Sequence, residues 1–194
     1  MQEQELLQYF KQSGSLLEGH FKLSSGLHAA KYIQCAKALV DGKMSELICK
    51  AIADKIKNGY GLDFDKVIAP AMGGLIVGYE TAKHLQKPSM FCERVDGVFE
   101  FRRGFEIEKG DKVVIIEDVV TTGKSSLEAV ECVKKYGGQV VAEGCIVDRS
   151  NGKHNLPYPL FSLINLDIAT YSQNNLPAEL KDIPAVKPGS RFLK

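Results

Sequence analysis

Residues 113–126, VVIIEDVVTTGKSS, place two adjacent acids, Glu117 and Asp118, after four hydrophobic residues and before a turn rich in hydroxyls. Each part of Glu117-Asp118-Val119-Val120-Thr121-Thr122-Gly123-Lys124-Ser125 has a chemical use. Backbone N–H groups at a helix start, with the hydroxyls of Thr121, Thr122, Ser125 and Ser126, make a cradle for a phosphate. Gly123 lets the backbone approach closely, and Lys124 adds positive charge. Two carboxylates aimed at that phosphate would repel it, so they suit sugar hydroxyls or a magnesium ion. Together these parts describe a ligand with a phosphate, a diol and a metal-bound diphosphate. A nucleotide P-loop would need glycine at position 118, where Asp118 stands. Helix capping alone accounts for one hydroxyl, not four beside a double acid.

Such a site needs elements to hold it. Leu6, Leu7 and Phe10 recur on one face of a helix over residues 3–12, and Leu47, Ile48, Ala51, Ile52 and Ile56 on another from Lys43 to Asn58. Short apolar strands are predicted at 66–70, 89–92, 113–116, 139–147 and 160–164, with helices over 75–86 and 125–136. Residues 95–108 read as a mobile hairpin or loop with arginines at its tip. From Pro157 onward the chain holds five of its seven prolines, which suggests a loosely structured tail. Strands that alternate with helices and are nearly all apolar predict an α/β domain with a mostly parallel sheet flanked by helices. Ligands of such sheets bind beyond the carboxyl ends of the strands, and residues 70–74 and 117–126 both follow strands there.

Bulk composition narrows the class. A length of 194 residues suits a single domain, and a net charge of +1 gives no field for nucleic acid or an anionic membrane. Five scattered cysteines without CxxC spacing point to a reducing cytoplasm and against a zinc site. No apolar run reaches the roughly 20 residues that span a bilayer.

The 113–126 segment resembles the phosphoribosyl-pyrophosphate (PRPP) signature of type I phosphoribosyltransferases, a long and specific pattern. Four further segments are similar to orotate phosphoribosyltransferases: Phe21-Lys22-Leu23-Ser24-Ser25-Gly26-Leu27-His28 with Tyr32, Ala69-Pro70-Ala71-Met72-Gly73-Gly74, Val147-Asp148-Arg149, and Lys187-Pro188-Gly189-Ser190-Arg191. The stretch Phe101-Arg102-Arg103-Gly104-Phe105 also recurs in one subgroup. The resemblance implies one domain over 1–194, its hood formed by about residues 1–40 and the C-terminal tail. It implies that Ala71, Met72, Gly73 and Gly74 bind pyrophosphate, that residues 117–125 bind PRPP, and that Thr121 and Arg149 hold orotate. An arginine fork suits a planar carboxylate. Magnesium carried by the pyrophosphate, with Asp118 as a candidate ligand, and a homodimer are implied too.

The chain departs from many family members in having Ser24 where they have lysine, and in lacking the usual loop lysines and histidine. Arg94 is the first candidate for pyrophosphate contact, then Arg102 and Arg103. Lys31 or His28 could replace the charge lost at Ser24, whereas His20, His84 and His154 read as surface or structural. The alternatives are a purine-type phosphoribosyltransferase and a non-catalytic, PRPP-sensing regulator.

Overall fold

The computed structural model describes residues 1–23 and 25–188. In chain order its elements begin with α1 (Glu3–Gln12), β1 (Leu16–Lys22), β2 (His28–Ile33), α2 (Cys35–Ala38) and α3 (Gly42–Gly59). Next come β3 (Lys66–Pro70), α4 (Gly74–Leu85), β4 (Ser89–Val95), β5 (Val98–Glu100), β6 (Lys112–Val120) and α5 (Lys124–Lys135). The last are β7 (Gln139–Asp148), β8 (Leu160–Asn165), β9 (Thr170–Tyr171), a 3-10 turn (Gln173–Asn175) and α6 (Ala178–Lys181). They form two compact units, Leu39–Leu166 and Gln2–Ala38 together with Asp167–Lys194.

The larger unit holds a six-stranded sheet in the order β5-β4-β3-β6-β7-β8, parallel from β4 to β8 with β5 antiparallel at the edge. Val113 to Ile116 have no exposed surface, because both faces of the sheet are covered. On one face Val113 and Ile115 pack with Ala129, Val130 and Val133 of α5. On the other, α3 comes so close that a Cβ on Gly144 would lie 2.8–2.9 Å from Ile52, Ile56 and Ile116. α3 starts where the Asp41 side chain accepts from the Met44 N–H at 3.0 Å, and its Ile48, Ile52 and Ile56 form one buried row.

Strand order locates the crevice. From β3 the chain passes through α4 to β4 on one side, then returns to β6 on the other side of β3. The carboxyl ends of β3 and β6 are therefore a topological switch point, where open α/β sheets bind ligands. Both segments singled out in the sequence start there.

The predicted strands and helices of this unit are present, with shifted ends. β6 runs on to Val120, so the two acids lie inside a strand and not beyond it. Between 95 and 108 the chain makes two turns, Asp96-Gly97 and Arg103-Gly104, the second closed by the Phe105 N–H donating to the Arg102 carbonyl at 3.1 Å. The β4–β5 turn is Asp96-Gly97, both at positive φ, with Arg94 before it and Arg102 and Arg103 after β5. Phe99 and Phe101 are buried in the core there, and Phe105 and Ile107 pack against it. The hairpin half of the expectation is what forms, β4 pairing antiparallel with β5.

The smaller unit carries an antiparallel sheet, β1-β2-β9, beside α1 with its buried Leu6 and Phe10. These strands were not legible as strands, since a register shift between Glu18 and Phe21 breaks the alternation. The tail is more ordered than its prolines suggest: Leu180 is buried, and Val186 exchanges backbone hydrogen bonds with His20 and Lys22. Ser24 and Gly189-Ser190-Arg191 lie outside the described residues.

Candidate active site

At the end of β3, the turn Ala71-Met72-Gly73 leads into α4, and the Ala71 N–H donates to the Cys92 carbonyl of β4 at 2.8 Å. A Cβ on Gly73 would sit 2.8 Å from both carboxylate oxygens of Asp118. One on Gly74 would meet the Ile116 carbonyl at 2.9 Å and Glu117 Oε2 at 3.3 Å. The two glycines are thus required by close approach, and they bring the turn after β3 against the acidic pair.

Glu117 is 8% exposed. Burial, then the neighbouring Asp118 and Glu143 charges, hold its carboxyl well above the usual range, while Arg94 is close enough to oppose the rise. Burial raises Asp118 too, against the backbone N–H of Val119, which donates to Oδ1 at 2.8 Å. Two anions in so little water are costly, and an arriving cation would favour their ionised forms.

Beyond Val120, residues Thr121, Thr122, Lys124 and Ser125 are exposed, and Gly123 stands at φ +76° at the start of α5 with no side chain capping the helix. The first-turn N–H groups of a helix suit an anion, and here the Thr122 hydroxyl accepts from the Lys124 N–H at 3.4 Å. Ser126 is a correction. It is buried, and its hydroxyl donates to Glu143 Oε1 at 2.8 Å, so it is not part of the cradle. Tyr158 donates to the other oxygen of Glu143 at 3.0 Å, and burial pushes this carboxyl up to about 7. Glu143 went unread, although a single charge inside the apolar run 140–147 was the available signal.

Arg149 follows β7, and its N–H donates to the Val120 carbonyl at 2.7 Å, which sets it beside Thr121. The Asp148 carboxylate accepts from the Ser150 N–H at 2.7 Å and shapes the turn. The hairpin cations are held otherwise. Arg94 pairs with Glu128 of α5, donates to the Gly97 carbonyl at 2.7 Å and lies 4.1 Å from the centre of the Phe99 ring. Arg103 pairs with Glu93 at 3.1 Å, and Arg102 is exposed.

Of the two proposed substitutes for a lysine at Ser24, His28 is withdrawn from the surface and Lys31 is exposed. His28 is buried and joined to His20 at 2.6 Å; burial, then the His20 and Lys22 charges, lowers its pKa and favours the neutral ring. Lys31 is 3.8 Å from Glu18 on the outside of β1 and β2. His20 is buried and structural, and His84 lies 3.4 Å from Glu80. His154 lies near the cradle, its Cβ 3.7 Å from where a Gly123 Cβ would be.

Residues 36–173 match the family model of the phosphoribosyl transferase domain. Over 191 residues the chain is 49% identical to an orotate phosphoribosyltransferase of Bartonella tribocorum, covering 98% of this chain and 99% of that one. This chain belongs to the orotate phosphoribosyltransferase family. It is also 48% identical to the Caldicellulosiruptor saccharolyticus orotate phosphoribosyltransferase over the whole of both chains. The crystal structure of orotate phosphoribosyltransferase from Aeropyrum pernix superposes with a TM-score of 0.69 at 27% identity, covering 83% of this chain and 93% of that one. Family and fold thus agree with the expectation from the motifs, and the purine-type and regulator readings fall away. Among the described residues no helix is long and apolar enough to cross a membrane.

Proposed function

We propose that this orotate phosphoribosyltransferase transfers ribose 5-phosphate from PRPP to orotate, releasing pyrophosphate and orotidine 5′-monophosphate in de novo pyrimidine biosynthesis. The observation that carries the assignment of roles is the contact of Gly73 with the Asp118 carboxylate at the switch point. It brings a diphosphate turn and a ribose-binding acidic pair to one place, so one ligand spans both.

The turn Thr121–Ser125 and the start of α5 hold the 5-phosphate, with Val119 and Val120 setting their height at the strand end. Glu117 and Asp118 hold the ribose hydroxyls and place anionic charge near a carbon that becomes oxocarbenium-like. The turn Ala71-Met72-Gly73-Gly74 takes the leaving pyrophosphate on backbone N–H groups other than that of Ala71, which is held by Cys92, and Arg94 neutralises it after leaving Glu128. Arg149, with Thr121, orients the orotate carboxylate and ring. Orotate brings its own nucleophilic nitrogen, so no strong base is required.

Magnesium fits as a passenger of the diphosphate. The raised pKa of Asp118 is the shift that a nearby cation would reverse. When bound, magnesium would neutralise the departing pyrophosphate.

A homodimer is part of the proposal. Met72 in the turn before α4 and Ile76 and Tyr79 on α4 are exposed apolar side chains, at 79%, 55% and 67%.

A base panel tests the reading: protein, magnesium and PRPP are mixed separately with orotate, uracil, adenine, hypoxanthine and xanthine. Orotate alone should be consumed, and turnover of a purine without orotate would overturn the assignment.

A further inference from the structure

Glu143 has no exposed surface, and it stands within β7 with β6 paired on one side and β8 on the other. A carboxylate in such a place is costly and is kept only with partners. Its two partners come from different elements. Oε1 accepts at 2.8 Å from Ser126, the third residue of α5. Oε2 accepts at 3.0 Å from Tyr158, near the end of the loop that joins β7 to β8.

Both partners lead to the phosphate turn. Ser126 follows Ser125 directly, so its hydrogen bond holds the first turn of α5 to the sheet. Tyr158 closes a loop that leaves β7 at Arg149. Within that loop the Gly152 N–H donates to Ser150 Oγ at 3.1 Å, and the Lys153 N–H to the Ser150 carbonyl at 3.0 Å. The chain then brings Leu156 onto Gly123, where a Cβ on the glycine would lie 3.2 Å from Leu156 Cδ2. The Glu143 N–H also donates to the Pro159 carbonyl at 3.0 Å, so backbone and side chain of one residue both grip the loop's end.

Packing alone does not require a charge here. Ala142, Cys145 and Ile146 of the same strand are apolar and fully buried. Polar partners removed together can be replaced by apolar groups of the same shape with little loss of stability. What the carboxylate adds is direction, because a satisfied buried network fixes one arrangement of the elements it joins.

We propose that Glu143 is a positioning residue for the 5-phosphate, tying α5 through Ser126 and the β7–β8 loop through Tyr158 so that the phosphate turn keeps one position against Leu156. This rests on the reading of Thr121–Ser125 as the phosphate turn. Glu143 touches no substrate. It acts through the backbone of the turn and the start of α5, whose placement sets how well an anion is met. Orotate depends on it less, since Arg149 is set by its own N–H to the Val120 carbonyl at 2.7 Å.

The test compares the full chain with S126A, Y158F and E143L/S126A/Y158F. The triple variant removes all three polar groups together, so none is left buried without a partner. With orotate and PRPP varied separately, KM for PRPP should rise a few-fold in each single variant and roughly tenfold or more in the triple. KM for orotate and kcat at saturation should stay within about twofold of wild type, and the triple should melt no lower than wild type. E143Q can accept from one hydroxyl and donate to the other, so it should keep KM for PRPP near wild type. An unchanged KM for PRPP in the triple, equal rises for both substrates, or an E143Q as impaired as the triple would each overturn the proposal. Failure of the base panel would show in the wild type itself, whereas failure here shows only in the difference between wild type and variants.

Discussion

The crevice at the ends of β3 and β6 and the hairpin from Glu93 to Phe105 both supply candidate groups for PRPP, but they hold them differently. In the crevice, position comes from backbone and packing. Gly73 and Gly74 admit no side chain against Asp118, Ile116 and Glu117, and Arg149 is fixed by its own N–H to Val120. In the hairpin, the aromatic residues are anchored in the core while the arginines rest on surface carboxylates, Arg94 on Glu128 and Arg103 on Glu93. Exposed ion pairs of this kind contribute little, about 0–1 kcal/mol, so such cations can be redirected to a ligand at small cost. Rigid groups suit the ribose, whose position must be held, and loosely paired cations suit a leaving group that must depart.

Asp118→Asn is the strongest way to break this contrast. It removes charge but little volume, so orotate turnover should fall by roughly a hundredfold or more while circular dichroism and the melting curve stay near wild type. Near-normal turnover would take the acidic pair out of the chemistry. Arg149→Ala should come next, raising KM for orotate by roughly tenfold or more and KM for PRPP far less. Equal losses for both substrates would sink its assignment to orotate.

Glu143 sharpens the comparison from the structural side. Its carboxyl is raised from 4.5 to about 7 when folded. Between those values the folded chain keeps a proton that the unfolded chain has lost, so its contribution to stability falls as pH rises, by about 3 kcal/mol in total. Urea titrations at the two ends of that window should show a smaller decline for Glu143→Gln than for wild type. Equal declines would mean that Ser126 and Tyr158 keep the anion as stable as water does.

The smallest effect belongs to Glu128→Gln. Loosening Arg94 should change KM for PRPP by only a few-fold, since a surface pair is all that is lost. Arg94→Ala should lower kcat more than Glu128→Gln does. A silent Arg94→Ala would transfer the leaving-group role to Arg102 or Arg103.

Much of this was readable in the chain itself. The run Val113–Ile116, the double acid, the hydroxyl-rich turn with Gly123 and the apolar row of α5 are local patterns. The strand, turn and helix they encode formed because neighbouring residues agree with one another. Asp148-Arg149 and Gly73-Gly74 were also visible as residue types that the chemistry needs. What the tertiary structure alone decided are contacts between segments far apart in sequence. Strand order put Gly73 against Asp118. Burial turned Ser126 toward Glu143 and paired His28 with His20. Apolar packing of Phe99 and Phe101 divided the segment into two turns, with Arg94 before the first and Arg102 and Arg103 at the second. Local periodicity carries the element, but partners across the sheet are chosen by topology and by the exclusion of water, which no single segment encodes. For Glu117 to Ser125, the sequence carried the pattern from which the ligand is proposed, and the fold set the glycine turn against the acidic pair because strand order brings the ends of β3 and β6 together.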